Sequence, residues 1–535
     1  MTRAAYRIGL GIAALAALAL TGANLALGDL NQDEGWYLYA ARLVAEGQMP
    51  YRDFAFMQGP VMPAVYSAVS GLTDRWGLAA GRAFTALLGL AGACLASALA
   101  GRLAPQGRRG AAALVAFSLI AVNVYQSYYC TVVKTYALAG LALAGGLWLL
   151  AVAESRRSRW AAALAGAAVV AAAGTRSSIG VVAALAFAYL VLCARRLGFH
   201  AWLWYALGSA AAGAMALLPF FLAAPEGFWF FVVKYHTLRE SGALGEMLAY
   251  KAGFLSRMVQ AYFVAASAWA AIVLARGFGL ASPAPAGDAA PRPALGGLVW
   301  ACAAALTLVH ASAPFPYDDY QVVAYPLFAA ALAAAAVRLV AGWKEAAVPW
   351  LCMAVLLSCA AASGSSPINQ GWFIGERDRI WWRMKDQAPL ARLQEVGAYL
   401  RTLAGPGDLL LTQDPYLAVE SGMAIPRDLE MGQFSYFPGL DPAAAARMKV
   451  LNREQFEALL ETCDAPVAAL SGYAFAIRSP RIDPVPPEEE ARFRAIVERR
   501  YEPVRDVPDF GQAGTLLRLY RRRAGDAGQG AASRE

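Results

Sequence analysis

Runs of about 20 residues rich in Ala, Leu and Val, separated by short polar segments, fill the chain as far as about Ala362. From Gly364 onward the pattern changes to short apolar stretches alternating with charged ones. A helix rises about 1.5 Å per residue, so a run of that length crosses a hydrocarbon layer of roughly 30 Å. The pattern predicts about eleven transmembrane helices, near 8–27, 80–101, 111–128, 136–153, 160–174, 178–194, 201–223, 257–275, 296–312, 322–340 and 346–363. The fifth and sixth are parted only by Thr175, Arg176 and Ser177. The first run follows Arg3 and Arg7; a cleaved leader is the rival reading, and its length favours a retained anchor.

With the N-terminus inside, the loops carrying Arg102, Arg108 and Arg109, then Arg156, Arg157 and Arg159, then Arg195 and Arg196, then Arg276 and Arg292, then Arg338 and Lys344 all fall on the inner side. That agreement follows the positive-inside rule. Ser282 to Pro293, rich in Pro, Ala and Gly, reads as a flexible inner linker. The long segments fall outside. The first outer loop, about 28–79, contains helical patterns over Asp33–Glu46 and Val61–Trp76, expected to lie in the interface plane. A second outer loop spans about Pro225 to Arg257.

The tail, also outside, predicts helices over Leu390–Leu403, Glu454–Glu461 and Glu488–Arg499. It predicts strands over Leu409–Thr412, Pro466–Leu470 and Thr515–Tyr520. The expected fold is therefore a polytopic α-helical membrane protein with a small extracytoplasmic α/β C-terminal domain. Residues 1–363 form the membrane part and 364–535 the outer domain, with the last ~12 residues disordered.

Composition agrees with this division. Hydrophobic residues make up 59% and charged residues 16% of the chain, against about 25% charged in soluble domains. The net charge of +8 sits largely in the short inner loops, so it implies membrane topology and no nucleic-acid partner. The seven cysteines show neither CxxC nor metal-type spacing. His200, His236 and His310 are too scattered for a zinc site; His310, in or near a span, reads as packed or donor-contacting. Trp229, Trp372, Trp381 and Trp382 read as an interfacial aromatic belt.

Chemistry concentrates after the first span. Asp29, Asp33 and Glu34 cluster at its outer mouth, followed by Trp36-Tyr37, then Pro50-Tyr51-Arg52-Asp53-Phe54 and Gln58-Gly59-Pro60. Acids beside a bilayer are costly unless solvated, paired or used. Helix capping and the helix dipole are the plain reading of Asp33 and Glu34. The order of an acidic pair, an aromatic helix and a Pro-Tyr-Arg-Asp-Phe segment resembles the GT-C superfamily of membrane glycosyltransferases. The branch it resembles is the family 39-like one, which includes protein O-mannosyltransferases and the transferases that add aminoarabinose to lipid A.

The resemblance spans the whole architecture, although its sharp motif covers only about thirty residues. It implies a glycosyltransferase that takes a sugar from a polyprenyl-phosphate donor and gives it to an extracytoplasmic envelope glycan, lipid or protein. It makes Asp33 the catalytic base, with Glu34 as support. It also implies a bacterial inner-membrane location with a cytoplasmic N-terminus and a periplasmic C-terminal domain. A carboxylate in hydrogen-bond reach takes the proton of an acceptor hydroxyl as the glycosidic bond breaks.

Lys134, Arg176, Lys234, His236 and Arg239 lie on the outer side by topology and are candidates for the donor phosphate; snorkelling to headgroups is the alternative for each. Tyr51, Arg52, Asp53, Tyr317, Asp318 and Asp319 belong to loops that contact acceptor or serve structure. Tyr325-Pro326 fits the late span of the related transferases, whereas Pro316-Tyr317-Asp318-Asp319 departs from their pattern by lacking an Arg before the Tyr. No cofactor is certain; a divalent metal, if used, has Asp33, Asp318 and Asp319 as ligands, with a solvated turn as the alternative for the latter two. Two other classes stand beside the transferase: a transporter or flippase of a lipid-linked saccharide, and a non-catalytic scaffold. A transporter is expected to carry repeats or paired broken helices at mid-membrane, which the pattern lacks.

Overall fold

The structure, a computed structural model, describes residues 3–197, 200–235, 242–279, 295–365, 387–472, 475, 485–512 and 514–524. His236, Arg239, Trp372, Trp381, Trp382 and the 282–293 linker lie outside the described residues.

Helix α1 (Arg3–Leu27) leads into α2 (Gln32–Ala45), α3 (Val61–Ser67) and the long α4 (Ser70–Leu103). Then come α5 (Arg109–Ala121), α6 (Val124–Tyr129), α7 (Thr135–Arg156), α8 (Arg159–Thr175), α9 (Gly180–Leu192) and α10 (Ala201–Ala216). The membrane part continues with α11 (Leu244–Ala261), α12 (Phe263–Gly277), α13 (Leu295–Ser312), α14 (Tyr325–Trp343) and α15 (Val348–Gly364). Among the described residues four helices are long and apolar enough to cross a membrane: α1, α4, α7 and α13. The bent pair α11–α12 makes a fifth, and shorter apolar helices lie over Arg159–Thr175, Ser177–Leu192, Tyr325–Ala341 and Val348–Gly364.

Three of the expected spans are interrupted, the seventh (201–223) at Leu217 between two helices. The third stops at Val122 because Asn123 starts a new helix: its side-chain oxygen accepts the Gln126 amide at 2.8 Å, and its amide donates to the Ala261 carbonyl at 2.8 Å. The segment 257–275 bends by 94° between α11 and α12. Tyr262, at the break, stacks on Tyr325 with ring centroids 3.7 Å apart and donates its hydroxyl to Gln126. The expected Val61–Trp76 helix also divides, its second half forming the first turns of α4 ahead of a kink at Gly77.

Past the spans, α16 (Pro389–Leu403), α17 (Pro415–Ser421), α18 (Arg453–Thr462) and α19 (Pro487–Arg500) accompany a four-stranded mixed sheet. Strands β1 (Leu410–Thr412) and β2 (Val467–Leu470) pair in parallel. Strand β4 (Thr515–Arg522) pairs antiparallel with β2 and with β3 (Tyr501–Phe510), giving the order β1-β2-β4-β3. β3 escapes the sequence pattern because Pro503 and Pro508 interrupt it; an edge strand with irregular register tolerates both.

One apolar core runs through the membrane helices. A second contains the sheet and its helices together with Trp36, Tyr37, Leu38 and Phe56 of the first loop. The loop after the first span is thus part of the same core as the C-terminal residues. Gly35 permits this union: a Cβ there would lie 2.1 Å from the Tyr416 backbone nitrogen.

Candidate active site

Helix α2 begins with a capping box. Asn31 is the N-cap, its side chain accepting the Asp33 amide at 3.1 Å, and the Glu34 carboxylate accepts the Asn31 amide at 2.9 Å. Asn31 and Glu34 therefore do the capping that the plain sequence reading gave to Asp33 and Glu34, and the Asp33 carboxylate is turned elsewhere.

Glu34 is fully buried against Arg82 of α4, with contacts of 2.8 and 2.6 Å in a bidentate pair. Arg82 spends its remaining N–H groups on the Leu25, Gly28 and Asp29 carbonyls, which leave α1 without helical partners. Glu34 also accepts the Val133 amide at 3.1 Å. One buried ion pair thereby joins the end of α1, the start of α2 and the segment presenting Lys134. Glu34 is a positioning group; its oxygens are occupied by Arg82 and two backbone amides. Arg82 is not among the sequence candidates, although an arginine inside an apolar span is itself a signal.

Asp33 opens into a cleft of about 440 Å³ lined also by Lys134, Arg176, Tyr136, His310 and Asp319. Its carboxylate meets the Lys134 ammonium at 3.0 Å and accepts the Trp36 indole N–H at 3.3 Å. Lys134 bridges onward to Asp319 at 2.8 Å. Arg176 lies between the rings of Tyr136 and Tyr320, 4.7 and 4.5 Å from their centroids, and donates to Thr135 Oγ1 at 3.2 Å. Its buried Nε has no hydrogen-bond partner among the described residues. Stacking holds this guanidinium in place. His310 sits between Ser178 and Gln321, at 3.1 and 3.3 Å. Burial, reinforced by the Asp33 charge, raises the Tyr37 phenol well above its ordinary value and keeps it a neutral lining group.

The remaining predicted residues divide. Tyr317 lines the cleft. Asp318 faces away, its carboxylate paired with Arg257 at 3.0 Å. The three acids assigned to a metal are consequently not gathered: Lys134 stands between Asp33 and Asp319, and Arg257 holds Asp318. Among the described residues no group of three or more His, Cys, Asp or Glu side chains is placed to hold a metal ion. Tyr51, in the left-handed region at φ 68°, is buried and donates to the Gln58 carbonyl, while Arg52 and Asp53 pair with each other on the surface at 2.6 Å. They shape the turn that brings Met57 and Gln58 to the cleft. Lys234 is exposed and off the cleft. Phe434, contributed from beyond the spans, meets Trp36 edge-on at 6.3 Å and closes one side; its distance in sequence hides this role.

Several apolar helices, an acidic mouth after the first, and a mixed sheet folded back onto that mouth define a polytopic membrane protein whose fold is shared with solved membrane transferases. The particular likenesses are to ArnT from Cupriavidus metallidurans bound to undecaprenyl phosphate, with a TM-score of 0.60 and 15% identity over 95% of this chain and 97% of that one. The apo form of the Archaeoglobus fulgidus oligosaccharyltransferase is also similar, with a TM-score of 0.52 and 12% identity over 97% of this chain and 75% of that one. At such identities the likeness is one of fold. No family model matches the sequence, and no curated protein matches it.

Proposed function

We propose that this chain is a glycosyltransferase that moves a sugar from a polyprenyl-phosphate donor to an extracytoplasmic acceptor, with Asp33 as general base. The observation that carries the reading is the cleft itself. A carboxylate released from capping duty shares it with two buried cations, Lys134 and Arg176, drawn from different segments. The fold shared with a protein whose structure holds undecaprenyl phosphate supports the donor class. In this reading Asp33 takes the proton of the acceptor hydroxyl, and that oxygen attacks the anomeric carbon. The bond from this carbon to the phosphate oxygen breaks, its electron pair staying on the phosphate. Arg176 and Lys134 stabilise the phosphate as it leaves. One base suffices for a single displacement with inversion.

The topology that goes with this function has about eleven spans in a bacterial inner membrane, with the N-terminus cytoplasmic. Residues 1–363 carry the catalytic groups, and 364–535 form a periplasmic domain that guides the acceptor. The acceptor is an envelope glycan, lipid or protein.

The test uses the full chain in lipid nanodiscs with a panel of labelled polyprenyl-phosphate sugars. Asp33→Asn is expected to lower turnover by about 10²–10⁴-fold while donor binding stays within a few-fold of the parent. Arg176→Gln is expected to weaken donor binding itself. Full turnover in Asp33→Asn removes the base assignment. Movement of intact donor between leaflets without sugar release would replace the transferase by a flippase.

A further inference from the structure

A second cleft, of about 860 Å³, shares no lining residue with the one around Asp33. It opens where α1 and α4 meet the C-terminal residues. Its walls change character with height. Leu25 of α1 and Ala79, Ala80 and Ala83 of α4 supply apolar surface, whereas Asp74, Arg75 and Arg401 supply charge. The apolar wall continues toward the bilayer, because Leu87 lies two turns beyond Ala79 on the same helical face and is well exposed. Trp76, half exposed, lies 4.9 Å beneath the Arg75 guanidinium, the usual setting of an aromatic at the headgroup level.

The charges are mostly unspent. Asp74 makes no hydrogen bond or ion pair among the described residues, and Arg75 makes only the contact with Trp76. Arg401 gives one N–H to the Glu420 carbonyl, at 2.6 Å. Glu420, by contrast, is engaged. Helix α4 breaks at Gly77 (φ 58°), and the Glu420 carboxylate accepts the next amide, Leu78, at 3.0 Å. Two cations, the free acid Asp74 and the already engaged Glu420 thus face a cleft with an apolar lower wall.

We propose that this cleft binds a bilayer phospholipid with a phosphoethanolamine headgroup. The phosphate takes Arg75 and Arg401, the ammonium takes Asp74, and an acyl chain follows Leu25, Ala83 and Leu87. The sign pattern selects this head. A phosphate alone would leave Asp74 opposed by nothing, a glycerol head brings no cation, and a choline head brings a cation without N–H donors for the carboxylate. The site bears on the reaction cleft through α4, which carries Arg82 on another face, but its existence does not depend on which reaction the protein performs.

The experiment reconstitutes the full chain in nanodiscs of phosphatidylethanolamine, phosphatidylcholine and phosphatidylglycerol mixed equally, transfers it to detergent and counts retained lipid by native mass spectrometry. The parent is expected to retain one phosphatidylethanolamine in roughly tenfold preference over the other two, the worth of a single charge-assisted bond. Arg75→Ala with Arg401→Ala should abolish retention. Asp74→Asn should keep lipid but lose the preference over phosphatidylglycerol. All three side chains are exposed, so the variants fold. Equal retention of the three lipids by the parent, retention of none, or unchanged retention in the double arginine variant would overturn the proposal.

Discussion

At the scale of single residues, the protein separates two adjacent acids by environment. Asp33 remains partly exposed to the cleft, while Glu34 is sealed against Arg82. Removing one member of a buried ion pair costs about 3–5 kcal/mol because the other charge is left without compensation. Arg82→Met additionally strands the Leu25 and Gly28 carbonyls at the end of α1, while the Asp29 carbonyl keeps the Tyr128 hydroxyl. It is expected to lower the melting temperature in nanodiscs strongly, with loss of activity following from loss of structure. A melting temperature equal to the parent's would mean that the pair does not hold the site together. Asp33→Asn should behave in the opposite way, losing turnover and keeping stability. That Asp33 belongs to a candidate site was legible in the sequence through the acidic cluster and its aromatic neighbours. That Glu34 is sealed in an ion pair was hidden, because its partner lies 48 residues away.

At the scale of elements, α2 is the part whose placement matters most. It is gripped on one side by the Arg82–Glu34 pair and on the other by α17. Gln32 donates to Asp414 at 2.6 Å, Tyr416 donates to the same carboxylate at 3.1 Å, and the Gln32 amide donates to Gln512 at 3.1 Å. Burial raises the Asp414 carboxyl above its ordinary range, and these hydrogen bonds pull against that rise. Gly35 lets the two helices approach to backbone contact. In Gly35→Ala the new methyl meets backbone on α17, which cannot rotate away, so α2 must shift and carry Asp33 with it. A displacement of about 1 Å at reacting groups costs roughly 100-fold in rate, and a loss of that order in turnover is expected. Gly71→Ala, on the open face of α4 with nothing within 4 Å, serves as the silent control. Equal activity of the two variants would show that the contact between α2 and α17 does not set the base.

At the scale of the whole molecule, the C-terminal residues and the first loop share a core, and titration of one group in that seam should be visible. Glu430 is buried, one of its carboxylate oxygens lacks a partner among the described residues, and burial pushes its carboxyl up to about 8. Asp428, Arg427 and Tyr39 of α2 are its charged or titratable neighbours. A carboxyl raised in the folded state binds its proton more tightly folded than unfolded. Stability contributed by this protonation is complete below the ordinary carboxylate range and is lost as pH rises toward 8. The decline approaches about 1.4 kcal/mol per pH unit within that window. Glu430→Gln is expected to flatten the fall in melting temperature between pH 5.5 and 8.5 and to be the more stable protein at the upper end. A parallel fall in parent and variant would assign the pH dependence to another group.

Periodicity and composition alone determined that the chain is a membrane protein, the bounds of helices such as those over 136–153, 160–174 and 390–403, and that an acidic cluster follows the first span. Those features are local, arising from the length of apolar runs and from residues within a few turns of one another. Asn123 and Tyr262 show the limit even there, since each breaks an apolar run through partners brought from other helices. Only the tertiary structure decided which of two neighbouring acids faces the cleft, which cations share it, and that Asp318 turns to Arg257 instead of joining Asp33. It also decided that a phenylalanine some 400 positions further on, Phe434, closes the cleft beside Trp36. Buried charges must find partners wherever the fold supplies them, and no pattern confined to neighbouring residues records who those partners are.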